Sequence, residues 1–167
     1  MNDNETSEAR ASVAREQKML VAALVANGPV PAGFVPGRIQ SAARSLYRKR
    51  LRSLKHAWPV LATACMSNLE EQFAEYSAST PMPVYGGGLA DGRSFIRWLW
   101  QKRTLSDDVR IGAARFDVQF VASSSGIHPR RWPSCRVLFV SQPRRLILFL
   151  HLSAGRLISW GIPMGGR

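Results

Sequence analysis

Any catalysis by this chain would have to come from a small set of side chains. There are three histidines, His56, His128 and His151, and two cysteines, Cys65 and Cys135. No histidine has another His, Cys, Asp or Glu three or four positions away, the spacing that sets two ligands on one helix face. The cysteines lie 70 positions apart, so no paired thiol motif exists. In a reducing cytosol such isolated cysteines are expected to be buried as small apolar residues. Ser123, Ser124 and Ser125 fall in a loop without the strand–turn–helix setting that activates a nucleophilic serine. Gly86-Gly87-Gly88 lacks the Gly-Lys-Ser/Thr that completes a phosphate loop and reads as a hinge. Glu70 and Glu71 are neighbours on a helix surface, a capping and solvating arrangement rather than an acid–base pair. These residues predict no catalytic set, no metal site and no cofactor, and they favour a binding protein.

Charge is the feature with functional content. The chain carries 23 Lys and Arg against 11 Asp and Glu, and the excess comes in blocks. Val35 to Val60 holds seven basic residues and no acid, and so does Val118 to Arg167. Such blocks raise the local concentration of anionic partners. Arg44, Arg48, Arg52 and Lys55 recur at spacings of four, four and three, one face of a helix. Nucleic-acid phosphates or an acidic protein would suit this stripe, although a solvated helix face accounts for it equally well. Arg93 and Arg97 sit one helical turn apart. His128-Pro129-Arg130-Arg131-Trp132-Pro133 reads as a presented loop in which Arg130 and Arg131 offer charge and Trp132 a stacking plane. Capping of the sheet is an equal alternative there.

The elements that must position these residues fall into two classes. Residues 1–10 read as a disordered tail. A helix follows to Ala26, with Val13, Met19, Leu20, Ala23 and Leu24 on its buried side, and Asn27-Gly28-Pro29 ends it. Phe34 is expected to anchor the irregular segment up to Gly37. Arg38 to Trp58 is the clearest helix, with Ile39, Ala43, Tyr47, Leu51, Leu54 and Trp58 in one apolar stripe. Ser67 with Glu70 fits a capping box for the next helix. Asp91 fits the cap of another, and Ser106-Asp107-Asp108 the cap of a last short turn. Phe116, Val118 and Phe120 alternate with polar residues and predict a strand. Val137–Val140, Leu146–Leu152 and Arg156–Ile162 follow as strands, the middle one apolar on both sides and therefore central. Gly155 suits the positive φ of a hairpin loop. Helices first and strands last is an α+β pattern: residues 11–113 helical, residues 114–167 a small antiparallel meander sharing one core with the helices.

Length and composition set outer bounds. A chain of 167 residues is one domain or two small ones. The 46% hydrophobic content is that of a globular protein. No apolar run approaches the roughly 20 residues of a membrane span, and the polar, acidic N-terminus does not resemble a signal peptide. A cytoplasmic location without membrane attachment is expected.

Gly33-Phe34, the Arg38–Arg52 helix with Lys49-Arg50, Trp58-Pro59, the run from Leu89 through Asp91-Gly92-Arg93-Ser94-Phe95 to Leu99, Pro129 to Pro133, and Trp160-Gly161-Ile162-Pro163 together resemble an actinobacterial family of small uncharacterised proteins. The helical half is more distantly similar to the partner proteins of multinuclear non-haem iron oxidative enzymes of the methanobactin type, which modify cysteines of ribosomal peptides. Members of that partner group carry a DNA-binding label. The resemblance implies a non-catalytic subunit, with iron and oxidation residing in a separate barrel enzyme. The subunit would dock on that enzyme and help present an acidic precursor peptide, for which a sheet edge is a ready template. Val137–Val140 and Arg156–Ile162 are possible edges, and Arg136, Arg144, Arg145 and Arg156 would attract an acidic leader. Nucleic-acid binding by the basic helix 38–56 stands as the alternative.

Overall fold

The computed structural model describes residues 3–25, 28–65, 67–123, 126–152 and 155–164. The architecture is α+β, six helices followed by two small antiparallel sheets. The helices are α1 (Asp3–Val25), α2 (Pro36–Ala57), α3 (Pro59–Ala64), α4 (Leu69–Ser79), α5 (Gly87–Gln101) and α6 (Asp107–Gln119). The strands are β1 (Phe120–Ser123), β2 (Gly126–Pro129), β3 (Ser134–Ser141), β4 (Arg144–His151) and β5 (Leu157–Pro163). They form two compact units, one of residues Met1–Ser53 with Glu70–Met82, the other of Leu54–Leu69 with Pro83–Arg167.

In the first unit, α1 begins at Asp3, inside the stretch expected to be a tail. Its apolar stripe is only partly covered: Ala23 is buried, whereas Val13 and Met19 are exposed. Phe34 is exposed too, so it does not anchor its loop as expected. The stop at Asn27 lies outside the described residues. The stripe of α2 behaves as its spacing predicts, with Ile39 and Leu51 buried and Tyr47 half-buried. Tyr47 packs 5.8 Å from Phe73 of α4 and donates a 2.8 Å hydrogen bond from its hydroxyl to the carbonyl of Glu70. Arg50, one of the basic block, is turned inward and only 8% exposed. Its guanidinium lies over the rings of Phe73 and Tyr76 at 5.5 and 5.3 Å and donates to the carbonyl of Thr80 at 3.0 Å. A desolvated cation over two ring faces is stabilising.

In the second unit, α6 is the organising element. Ser106 caps it, its hydroxyl accepting from the amide of Val109, and Asp107 and Asp108 follow in the positive first turn. The helix then continues through the residues that alternate like a strand. Phe116 and Val118 lie about 200° apart on a helix of 3.6 residues per turn, and each is buried for its own reason. Phe116 packs at a tilt against Trp58, ring centroids 5.0 Å apart, while Val118 joins Ala114, Val140, Ile147 and Phe149 in the core against the sheet. A helix buried on two sides mimics strand alternation, and this is why the predicted strand over 116–120 is helix up to Gln119.

Two further helix starts differ from expectation. Helix α4 begins at Leu69, and the amides of Asn68 and Leu69 bond the carbonyl of Cys65, so Ser67 does not cap it. Helix α5 begins at Gly87 after Gly86, whose φ of 84° favours glycine. The triple glycine is therefore a helix start, and Asp91 is buried within α5 rather than capping it.

The two-stranded sheet pairs β1 with β2, and the three-stranded sheet has the order β3-β4-β5. The apolar β4 is central as predicted. The β3–β4 turn contains a cis Gln142–Pro143 bond, and Gly155 in the β4–β5 connection has φ 74°.

Candidate interaction surface

The register of the three-stranded sheet sorts its side chains into two faces, because residues directly opposite on antiparallel strands point to the same side. One face packs on α6 through Leu138, Val140, Ile147 and Phe149. The other is built of three cross-strand rows: Cys135–Leu150–Ile158, Val137–Leu148–Trp160 and Phe139–Leu146–Ile162. All nine are apolar, and among the described residues of this unit α6, the helix in contact with β3 and β4, lies on the other face. Val137 is 61% exposed, Trp160 51% and Ile162 60%. Leu146, Leu148 and Leu150 of the central strand and Ile158 of β5 are half-buried. With strands about 4.8 Å apart and a rise of about 3.4 Å per residue, the rows span on the order of 300 Å². A contiguous apolar patch of that order is comparable to the largest on a typical monomer, which is often functional.

Exposed arginines bracket this face. Arg144 continues its pattern beyond Leu146 at one end, and Arg156 precedes Ile158 at the other; both are exposed. Cys135 is exposed in its row rather than buried as expected, whereas Cys65 is buried and its thiol is pushed up by desolvation. Strands β3 and β5 each pair with β4 alone, so both are edges among the described residues.

The arginines named from the sequence separate into two groups. Arg93 grips Asp117 of α6 through two bonds of 2.7 Å, from Nε to Oδ1 and from Nη2 to Oδ2. Arg136 also bonds Asp117, and Arg130 donates from Nε to the Asp117 carbonyl at 2.9 Å. This cluster closes the end of α6. The last four carbonyls of a helix have no partner within it, and here each has one: Phe116 takes the amide of Phe120, Asp117 the Arg130 side chain, Val118 the Ser134 hydroxyl and Gln119 the Arg130 amide. Arg93 and Arg130 are thus engaged within the fold, and cations suit this negative helix end. Arg97, Arg131 and Trp132 face solvent, with Trp132 80% exposed. On α2, Arg44, Arg48 and Arg52 are exposed on successive turns, while Lys55 is half-buried and engaged. Asp117, the residue that organises the cluster, was not singled out from the sequence; its alternation with Phe116 and Val118 made it look like the polar side of a strand.

His151 is buried in β4, a packed histidine with Nδ1 unpartnered. Among the described residues no group of three or more His, Cys, Asp or Glu could hold a metal ion, and no helix is long and apolar enough to cross a membrane.

The fold is thus α+β, with an open apolar face on a sheet region that carries basic residues and no acid. Residues 14–101, more than half of the chain, match the family described as SCO6045-like, C-terminal domain, and the chain belongs to that family. The matched stretch ends with α5, so α6 and both sheets follow it. No curated protein and no solved structure matches the chain significantly.

Proposed function

We propose that the protein is a non-catalytic accessory subunit that docks on a multinuclear iron-dependent peptide-modifying enzyme and helps present its ribosomal precursor peptide. The observation that supports docking is the open face of nine apolar residues in three rows. A stable interface needs about 800 Å² from each partner, more than this face supplies, so a partner must also reach the rim. From Val118 onward the rim can offer only positive charge, because the sequence has no acid there. A second copy would oppose arginines to arginines. The fitting partner is a different protein whose apolar patch is ringed by carboxylates. The edges β3 and β5 leave main-chain groups for an acidic peptide strand.

Co-expression with the iron enzyme of the same source tests this reading. A heterodimer is expected on size exclusion, and Val137→Asp with Trp160→Asp should abolish it while the melting curve stays cooperative. Wild-type proteins that elute apart at low salt count against the proposal.

Three guanidinium groups on successive turns of α2, Arg44, Arg48 and Arg52, favour a second reading, contact with nucleic-acid phosphates. Their triple replacement by Ala should lower the slope of log affinity against log salt by about one for each lost contact. An unchanged slope removes this reading.

A further inference from the structure

Helix α6 covers the inner face of the three-stranded sheet over β3 and β4 and leaves the β5 side open. A cavity of about 300 Å³ lies there, walled by Ile111 and Arg115 of α6, Arg145, Ile147 and Phe149 of β4, and Leu157 of β5. Its volume is at the small end of the roughly 300–1,000 Å³ of small-molecule sites.

The two arginines are unlike the others around α6. Arg93 and Arg136 are paired with Asp117, and Arg110 with Asp107 at 2.6 Å. Among the described residues Arg115 and Arg145 bond no carboxylate, and Arg145 Nε, like Arg110 Nε, is buried without a partner. The acids of α6 do not supply one. Asp107 is taken up by Arg110 and the amide of Ser141, Asp117 by Arg93 and Arg136, and Asp108 is exposed and bonds neither arginine. Strands β4 and β5 contain no acid at all. A desolvated donor left unpaired is destabilising, the more so when it is charged. An anion in the cavity would remove that cost, and the aliphatic and aromatic walls would cover an apolar body attached to it.

We propose that this cavity binds a small amphiphilic organic anion, with a carboxylate or equivalent head held by Arg145 and Arg115 and an apolar body against Ile147, Phe149 and Leu157. The hydroxyl of Ser159, also in the lining, adds a donor beside the head. This site is on the opposite face of the sheet from the apolar rows and does not depend on the docking proposal.

Methyl NMR of the full chain titrated with decanoate, and in parallel with the uncharged 1-decanol, tests it. Decanoate is expected to shift the methyls of Ile111, Ile147 and Leu157 with one site per chain, and to bind at least tenfold tighter than decanol. Arg145→Gln should weaken decanoate on the order of tenfold, the loss of one charge-assisted pair. Arg115 is exposed, so Arg115→Gln gives a second reading independent of folding. Gly161→Leu, at a position that lines the cavity with open space where a Cβ would go, should block it. Decanoate that does not bind, that binds no better than decanol, that survives both arginine replacements, or that shifts Val137 and Leu148 instead overturns the proposal.

Discussion

The indole of Trp58 occupies the space of a side chain at position 92: a methyl group on Gly92 would lie 2.2 Å from Trp58 Cδ1 and 2.5 Å from Nε1. The same ring donates from Nε1 to the carbonyl of Leu89 at 3.0 Å, packs at a tilt against Phe116 and is 5% exposed. Trp58 is thereby pinned on three sides and cannot yield. Within a helix, Gly→Ala normally stabilises by about 1 kcal/mol. Here Gly92→Ala is expected to destabilise by up to about 2 kcal/mol, since overpacking a filled core costs about 1–3 kcal/mol before the backbone gain of about 1 kcal/mol is subtracted. Chemical denaturation with tryptophan fluorescence measures it; a stabilised variant would show that Trp58 has room to move.

Asp117 holds two arginines, so its charge matters more than its size. Asp117→Asn keeps the shape and leaves Arg93 and Arg136 facing an amide. Pairs this sheltered lie between surface and fully buried bridges, for which losses of about 0–1 and 3–5 kcal/mol are typical. A loss of about 2 kcal/mol is expected. Arg93→Gln in the same background should cost little more, because the partner charge is already gone. Additive losses in the double-mutant cycle would contradict the pairing.

Acid should loosen the start of α6. Burial alone would raise the Asp107 carboxyl, but bonds from the Ser141 amide, the Arg110 guanidinium and the Gln142 amide outweigh it and hold the group below the usual carboxylate range. A carboxyl lowered in the folded state contributes stability above its unfolded pKa, near 4, and loses that contribution as pH falls through the folded value. Between pH 5 and pH 3 the wild type should therefore lose more stability than Asp107→Asn, which has no proton to take up. Parallel pH profiles of the two would argue against this role.

The two thiols should react very differently. Cys65 is buried, and desolvation raises its pKa, which leaves little thiolate at neutral pH. Cys135 is exposed in the apolar row beside Leu150. Iodoacetamide on the native protein should modify Cys135 first and Cys65 only on unfolding, as peptide mass mapping would read. Equal labelling of the native protein would mean that the core around Cys65 opens readily.

Much of the framework was legible in the residues. The stripe from Ile39 to Trp58 announced α2, Ser106-Asp107-Asp108 announced the start of α6, and the doubly apolar β4 announced its central place. Period and capping are local properties, and a local reading recovers them. The same reading failed at Phe116–Phe120, because burial on two sides of a helix leaves the signature of a strand. It also failed at Ser67 and Asp91, where the residue types suit a cap but the chain bends elsewhere.

The sequence by itself determined the helix-then-strand order, the blocks of positive charge and the scarcity of catalytic groupings, since each depends only on which residues stand near one another along the chain. Tertiary structure decided what those residues meet. It set Arg93 on Asp117 across 24 positions, turned Arg50 inward, left Arg145 Nε without a partner, and aligned nine apolar side chains from three strands into one open face. A strand's own alternation says that a side chain is apolar; only the register with its neighbours and the placement of α6 say which face is covered and which is left open.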